Sequence, residues 1–253
     1  MKAIELKDFL EYKFLNNIQI SPDGSSAIFG LAVCDEENNG YKQNIYLWRD
    51  EKYIPLTQSG KDSGAMYLDA NTILFKSNRE ASDEVKTSFY KITLCGGEAE
   101  KYFEVPLVVS KIEKINENKF VLLASYDKDF SYAGREDKKE ELLKAKKEAA
   151  DYEVFEKLPF CHNGGGYAKN TSSRLYPYDV VTRNLKQISP EGLEISTFTQ
   201  KKDCSELLVV AEKENKRVSM KAGLYTYQFE TEAWETTVEE KDFSICKVKC
   251  IIN

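Results

Sequence analysis

A short strand pattern recurs four times along this chain, and a repeat at a steady period constrains the fold more than any other feature of a sequence. Each copy joins an apolar residue to a tyrosine inside a run typical of a β-strand, and a more apolar run precedes each copy. The four copies are Ile45-Tyr46, Phe89-Tyr90, Leu175-Tyr176 and Leu224-Tyr225, and the preceding runs cover residues 26–29, 72–75, 119–123 and 207–210. The recurrence predicts one structural unit built four times.

The repeat also keeps its internal spacing. When Phe29, Phe75, Leu122 and Val209 are taken as landmarks of the apolar runs, the distances to the apolar residue of the next copy are 16, 14, 53 and 15 residues. Three of these distances agree, and the third exceeds them by about 38 residues. We therefore place an insertion at residues 127–173.

Each unit has room for two further strands. A short run follows the tyrosine copy, at 53–57 in the first unit and 186–189 in the third, and another precedes the apolar run, at 17–20 in the first. Four short strands in about 45 residues are the signature of a β-propeller blade. We therefore predict an all-β fold: a partial β-propeller of about four four-stranded blades plus one extra strand, with a helical insertion in the third blade. A β-sandwich with short strands is the alternative.

The predicted blades have approximate bounds and one of them is incomplete. They cover 15–58, 62–104, 106–190 and 193–238, arranged around an axis, and a fifth blade starts at 241–253. A terminal strand without a partner is an exposed edge, which soluble proteins normally avoid. We expect Phe243, Ile245 and Val248 to be partly exposed and the chain to self-associate through exposed blade edges.

The insertion itself is predicted to contain a helix from Glu136 to Lys157. This stretch is rich in Glu, Lys, Ala and Leu and contains neither Gly nor Pro. Its apolar residues form only a narrow stripe, so most of its surface is expected to be solvated. The pair Leu158-Pro159 should end the helix, because the residue before a proline resists the α conformation.

Composition and charge exclude several classes of partner. The net charge is −6, from 36 basic and 42 acidic side chains that are mixed along the chain, so no basic face for nucleic acid or for an anionic membrane is expected. Charged residues occupy the place where a signal peptide would have its apolar core, which favours a cytoplasmic location. The six cysteines show no paired framework and are expected to be reduced thiols.

The sequence shows no catalytic centre. A serine hydrolase needs a Gly-x-Ser-x-Gly elbow and a histidine within reach, and no such elbow occurs; the glycines of residues 60–64 have the wrong spacing. The single histidine, His162, follows Cys161, but adjacent side chains of an extended chain point to opposite sides, which disfavours a Cys–His dyad. We predict no catalytic residue.

Cofactor and metal sites are also not expected. Cys246 and Cys250 lie four residues apart without the second pair that a structural zinc site needs. The glycines at 164–166 follow a helix and precede a strand, which is the reverse of the order in a nucleotide-binding loop.

Two segments resemble the N-terminal propeller of bacterial prolyl oligopeptidase-family serine peptidases, of the acylaminoacyl-peptidase or dipeptidyl-aminopeptidase type. The first is residues 14–24, which end in Ser21-Pro22-Asp23-Gly24 before an apolar strand. The second, more specific, is residues 151–160, a helix end leading into Pro159-Phe160, with Asn163-Gly164 and Arg174-Leu175-Tyr176 after it. Later blades lack the Ser-Pro-Asp-Gly turn, and Cys161-His162 stands where an aromatic pair is expected.

The resemblance implies a function and a boundary. Members of this family have about seven blades followed by an α/β-hydrolase domain that carries Ser, Asp and His, and the chain stops before that domain. It is then the non-catalytic, substrate-gating propeller of a peptidase that acts on peptides, and it binds a peptide substrate only together with a hydrolase domain. Glu153 and Glu156 would hold the free amino group of the substrate, unless they are an ordinary solvated helix face. A stand-alone propeller-like interaction module, or a gene remnant without function, is the alternative.

Overall fold

The computed structural model describes residues 5–80, 84–152, 154–155, 161–162, 166–167, 171–215, 221–241 and 245–249. The chain divides into two compact units, Met1–Pro106 and Leu107–Asn253. Within the described residues no helix combines the length and the apolar character needed to cross a membrane.

The first unit contains two four-stranded antiparallel sheets. A 3-10 helix at Leu6–Glu11 precedes sheet 1, whose strands pair in chain order: β1 Lys13–Ile20, β2 Ala27–Asp35, β3 Gly40–Arg49 and β4 Lys52–Pro55. Sheet 2 repeats this order with β5 Asp62–Tyr67, β6 Thr72–Ser77, β7 Thr87–Thr93 and β8 Glu100–Val105.

The second unit contains two more sheets and the insertion. Sheet 3 consists of β9 Val108–Lys114, β10 Lys119–Asp127 and β13 Thr171–Asp179. The insertion between β10 and β13 holds a 3-10 turn at Glu136–Lys138, helix α1 at Lys139–Glu148 and a small hairpin of β11 Cys161–His162 and β12 Gly166–Tyr167. Sheet 4 consists of β14 Leu193–Gln200, β15 Glu206–Lys213, β16 Gly223–Gln228 and β17 Ala233–Val238.

The predicted fold class is confirmed: the chain is all-β, with four antiparallel sheets that match part of a β-propeller and a helical insertion in the third. Two details differ from the prediction. The fourth strand of sheet 3 is reduced to one bridge, between Tyr178 and Leu185. Residues 245–249 form no strand, although the Ile245 N–H donates to the Ala222 carbonyl. Phe243 lies outside the described residues, so the expected fifth-blade strand can be compared with the structure only at 245–249.

The predicted helix is shorter than expected. Helix α1 ends at Glu148, with Ala149 as its C-cap, instead of continuing to Lys157. No residue of α1 is buried, and a helix without a packed apolar face is marginal at this length. No packing contact of α1 therefore supports its extension to Lys157.

The sequence repeat corresponds to one cross-strand pair in every sheet. The four landmark residues pair directly with the four tyrosines: Phe29 with Tyr46, Phe75 with Tyr90, Leu122 with Tyr176 and Val209 with Tyr225. Because directly paired residues share a face, each sheet has a tyrosine face, which carries this pair, and an opposite face. We call the opposite face the aliphatic face after its residues in sheets 1, 3 and 4; in sheet 2 it carries Phe89 and Phe103. The repeat thus marks the register of the second and third strands.

Both units use the same packing rule. In the first, Ile28, Ile45 and Leu47 from the aliphatic face of sheet 1 pack with the tyrosine face of sheet 2, including Ile73, Phe75 and Tyr90. In the second, Val121, Leu123 and Leu175 from the aliphatic face of sheet 3 pack with the tyrosine face of sheet 4, including Leu207, Val209 and Tyr225. Each of these residues is at most 6 % exposed, so the aliphatic face of one sheet covers the tyrosine face of the next.

A side-chain hydroxyl binds the last segment of the blade to the third strand in sheets 1 and 3. The Ile45 N–H donates to Thr57 Oγ1 over 3.0 Å, and the Leu175 N–H donates to Ser189 Oγ over 3.1 Å. Thr57 and Ser189 are each 5 % exposed, and the residue before each donates its N–H to the carbonyl of the same partner. In sheet 3 this contact holds the chain against β13 where a regular fourth strand is missing.

The turn between the first two strands has the same design in all four sheets. In each, an Asp or Asn side chain accepts a hydrogen bond from the N–H two residues later, as in an Asx-turn. The four acceptors are Asp23, Asp69, Asn116 and Asp203. The first of these turns is the Ser-Pro-Asp-Gly segment, where hydrogen bonds from the Ser21 hydroxyl and then the Ser25 N–H and hydroxyl lower the pKa of Asp23 to about 2.

The fourth sheet forms that turn without its usual residues. Cys204 stands where the first turn has Gly24, and both have positive φ, 57° and 73°. The Cys204 N–H donates to the Lys201 carbonyl as the Gly24 N–H donates to Ser21. The fourth turn could not be recognised from the sequence because its residues differ from Ser-Pro-Asp-Gly. Its backbone needs only an Asp followed by a residue in the left-handed conformation.

Replacing Cys204 by Gly should therefore stabilise the protein by about 0.5–1 kcal/mol. A side chain in the left-handed region costs about 1–2 kcal/mol, and removing this cost is partly offset because glycine loses more backbone entropy on folding. Urea unfolding measures the change. The matched variant Gly24→Ala, at the same position of the first turn, should destabilise by a similar amount. A loss of stability in both variants would show that Cys204 is held by its own contacts.

Candidate functional site

The insertion of the third blade is attached to β10 by a tight turn. The Asp127 N–H donates to Ser131 Oγ over 2.8 Å, and the Ser131 N–H donates to the Asp127 carbonyl over 2.9 Å. Asp127 Oδ1 also accepts the N–H groups of Asp129 and Phe130. Five residues are thus fixed by four hydrogen bonds, which gives the insertion a rigid start.

Arg135 lies above this turn. Its guanidinium donates to the carbonyls of Lys128 and Ser131, and its Cζ is 5.9 Å from the centre of the Tyr126 ring. Its Nε is buried and has no hydrogen-bond partner in the described part of the chain. A guanidinium near an aromatic ring with a buried N–H left without a partner could donate a further hydrogen bond to an oxygen ligand.

A second arginine lies on sheet 3 itself. Strand alternation and the β10–β13 register place Tyr126, Arg174 and Tyr176 on the tyrosine face. Arg174 is 2 % exposed; its Nη2 lies 2.6 Å from Glu214 Oε1, and its Nη1 donates to the Leu193 carbonyl. The side chain therefore links sheet 3 to sheet 4 at two places: Leu193 is the first residue of β14, and Glu214 directly follows β15.

These side chains influence one another electrostatically. Burial raises the pKa of Tyr176 well above its usual range, and the nearby Tyr126 raises it further, while Arg174 and Arg135 act in the opposite direction. Tyr176 thus stays neutral at any physiological pH. We name Tyr126, Arg135, Arg174, Tyr176 and Glu214 the insertion-base cluster.

The insertion-base cluster can bind but has no evident nucleophile. Its only carboxylate, Glu214, is paired with Arg174, and its hydroxyls belong to tyrosines, one of them with a raised pKa. Arg135 could orient a carboxylate or carbonyl through charge-assisted hydrogen bonds. The cluster is suited to hold the insertion or a ligand beside it, and acyl transfer would need groups from elsewhere.

The residues proposed from the sequence have mixed outcomes. Glu153 and Glu156 lie outside the described residues, while their neighbours Tyr152, Val154 and Phe155 are exposed. Cys161 and His162 form strand β11, which has an extended backbone, and Cys161 is an exposed free thiol. Sequence reasoning missed Arg174 as a buried charge; the signal was an arginine beside an apolar–Tyr copy.

The described residues contain no candidate metal site, and five of their cysteines are free thiols. No group of three or more His, Cys, Asp or Glu side chains is placed there to hold a metal ion. The cysteines described as free thiols are Cys34, Cys95, Cys161, Cys204 and Cys246, and Cys250 lies outside the described set.

Comparison with known proteins identifies the fold and not the family. No protein-family model matches the sequence, and no curated protein matches it. The acylaminoacyl peptidase of Pyrococcus horikoshii is similar in structure, with a TM-score of 0.64 and 13 % identity over 94 % of this chain and 34 % of that one. This chain thus spans about a third of the length of that peptidase.

Two further structures agree on the architecture. The β-propeller domain of the Trilobed protease from Pyrococcus furiosus, which has an open velcro topology, matches with a TM-score of 0.51 and 12 % identity over 93 % of this chain and 60 % of that one. A puromycin-hydrolyzing peptidase from Mycobacterium tuberculosis matches with a TM-score of 0.54 and 10 % identity over 91 % and 30 %. The fold is therefore that of propeller domains that occur in peptidases.

Proposed function

We propose that this chain is the non-catalytic, substrate-gating propeller part of a prolyl oligopeptidase-type serine peptidase. The observation that carries the proposal is the structural likeness to acylaminoacyl peptidase, which extends over 94 % of this chain but only 34 % of the peptidase. The Ser-Pro-Asp-Gly turn and the insertion between the second and third strands of blade three support it.

Hydrolysis is assigned to a domain other than this one. The sequence has one histidine and no Gly-x-Ser-x-Gly elbow, and the insertion-base cluster pairs its carboxylate with an arginine. The role left for these residues is to admit and orient a peptide in front of a catalytic centre.

Within that role, Glu153 and Glu156 are the proposed ligands of the substrate's free amino group. A carboxylate accepts a charge-assisted hydrogen bond from an ammonium group, and each such bond contributes about 1.5–3 kcal/mol. Support comes from their place in the insertion, which starts at the fixed turn of Asp127 and Ser131.

The isolated chain should hydrolyse neither peptides nor esters, because its sequence has no Gly-x-Ser-x-Gly elbow to supply an activated nucleophile. Fusion to the remaining blades and the hydrolase domain of a prolyl oligopeptidase-family enzyme should give an enzyme that cleaves short peptides. Turnover of chromogenic peptides by both proteins is the measurement. Activity of the isolated chain that survives His162→Ala would contradict the proposal.

The same fusion protein tests whether the two glutamates bind the substrate or belong to an ordinary solvated helix surface. Replacing Glu153 and Glu156 by Gln should raise KM for peptides with a free amino group by at least about tenfold and leave N-acylated peptides unchanged. Glu140 and Glu141, an exposed pair on α1, are the matched control, and their replacement by Gln should affect neither substrate. Equal effects on both substrates would assign Glu153 and Glu156 to the solvated surface.

A further inference from the structure

Helix α1 lacks the packing that normally stabilises a surface helix. None of its 10 residues is buried, and its main neighbour among the described elements is the 3-10 turn at Glu136–Lys138. A helix of this length is marginal in water unless an apolar face packs against the protein. Within the described residues, the position of α1 therefore depends on how the chain before it is held.

The chain just before α1 is firmly held. The Asp127 N–H donates to Ser131 Oγ over 2.8 Å, and the Ser131 N–H donates back to the Asp127 carbonyl over 2.9 Å. The next two residues, Tyr132 and Ala133, are only 6 % and 9 % exposed. Residues 127–133 thus form a fixed base at the end of strand β10, and the change from packed to unpacked chain falls at Gly134.

Gly134 has the backbone geometry of a pivot. Its φ is 76°, and no atom beyond its chain neighbours lies within 4 Å of the place where a Cβ would stand. The Arg135 N–H donates to the Tyr132 carbonyl over 2.7 Å, so Gly134 is the third residue of a turn, where positive φ favours glycine. Hinges in proteins are a few such residues at the ends of elements, and glycine rotates there without steric cost.

Polar side chains reach back across this pivot. The Arg135 guanidinium donates to the carbonyls of Lys128 and Ser131, which both belong to the fixed base. The Lys139 ammonium lies 5.2 Å from the centre of the Tyr132 ring. The buried Nε of Arg135 has no partner in the described part of the chain, and an unmade hydrogen bond costs free energy. The closed position is thus held by polar contacts instead of a packed apolar face.

From these observations we infer that residues 136–148 form a hinged arm, which opens about Gly134 while the blade that carries it stays folded, and that Arg135 is the latch that keeps the arm closed. Opening releases the guanidinium from the carbonyls of Lys128 and Ser131, so the position of the arm and the availability of Arg135 to a ligand change together. The inference needs no catalytic domain and is therefore independent of the proposed peptidase role.

Hydrogen exchange of the purified chain, followed by mass spectrometry, tests the arm. Amides of α1 should be protected relative to an unfolded peptide, yet exchange at least about a hundredfold faster than those of β10, because local opening costs less free energy than global unfolding. Low concentrations of urea should hardly change the rate for α1, since local opening exposes little surface, but should raise the rate for β10. Protection equal to that of β10, or no protection at all, would overturn the inference.

The latch is tested by Arg135→Met, which should speed the exchange of α1 by at least about tenfold and leave β10 unchanged. Lys144→Met is the matched control: it removes a basic side chain from an exposed pair with Glu148, 3.8 Å long, and should change the rate by no more than about twofold. Circular dichroism checks folding, and Arg135→Lys, which loses the two-pronged donor, replaces an unfolded Met variant. Equal effects at residues 135 and 144 would remove the latch.

The pivot is tested by Gly134→Ala, which should also speed the exchange of α1 by about tenfold, because alanine disfavours the closed φ of 76°. Gly96→Ala is its control: Gly96 has a φ of 90° and equally open surroundings, but it lies in a turn of sheet 2. That variant should leave α1 unchanged. An unchanged rate in Gly134→Ala would show that opening does not involve this residue and would refute the hinged arm.

Discussion

Replacing Arg174 by Met should lower the free energy of unfolding by about 3–5 kcal/mol, the range for removing one partner of a buried ion pair. Arg174 is 2 % exposed and contacts both the Glu214 carboxylate and the Leu193 carbonyl. Its loss removes the guanidinium from Glu214, whose side chain is 19 % exposed, and removes the donor of the Leu193 carbonyl. Urea denaturation followed by fluorescence measures the change.

The control for this variant is Lys186→Met. Lys186 and Glu232 form an ion pair of similar length, 2.9 Å, but their side chains are 59 % and 64 % exposed. Exposed pairs contribute at most about 1 kcal/mol, because water screens the charges in both states. If the two variants were equally stable, burial of the Arg174 pair would carry no energetic weight.

Replacing Phe75 by Ala should cost about 3–5 kcal/mol, as for other large aromatic residues removed from a core. Phe75 is fully buried in the first unit, stacks on Tyr90 at 6.0 Å and packs with residues from the aliphatic face of sheet 1. The substitution leaves a cavity between the two sheets that the surrounding strands cannot fill.

The same substitution at Phe29 provides a control within the repeat. Phe29 occupies the equivalent position and also stacks on its tyrosine, yet it lies on the open face of sheet 1. Phe29 is only partly buried, so Phe29→Ala should cost about 1–2 kcal/mol in dilute protein. Equal losses for Phe29 and Phe75 would mean that the face is covered in the monomer.

The sequence predicted the sheets well because register leaves a direct mark on it. A residue facing a core in every blade must be apolar, and the strand period of two fixes its distance from the next such residue. That is why Phe29 and Phe75, chosen as landmarks, proved to be direct partners of Tyr46 and Tyr90. The fourth strand of sheet 3 lacks such a mark, and a hydrogen bond from Leu175 to Ser189 takes its place.

The insertion was harder to predict for the opposite reason. Helix α1 has no buried residue, so nothing in its pattern of apolar residues determines where it ends. The insertion-base cluster depends on contacts such as that of Arg174 with Glu214, which are 40 residues apart. A single sequence shows a charged residue in a strand but cannot show its distant partner.

The attachment of the insertion has a consequence for how this protein can change. Strands β10 and β13 pair without interruption from Lys119–Asp179 to Asp127–Thr171, so the two ends of the insertion are held side by side by the ladder. Doubling the length of a flexible loop between fixed ends costs only about 0.6 kcal/mol. The segment between Asp127 and Thr171 can therefore be lengthened, shortened or replaced during evolution without a change in the blade that carries it.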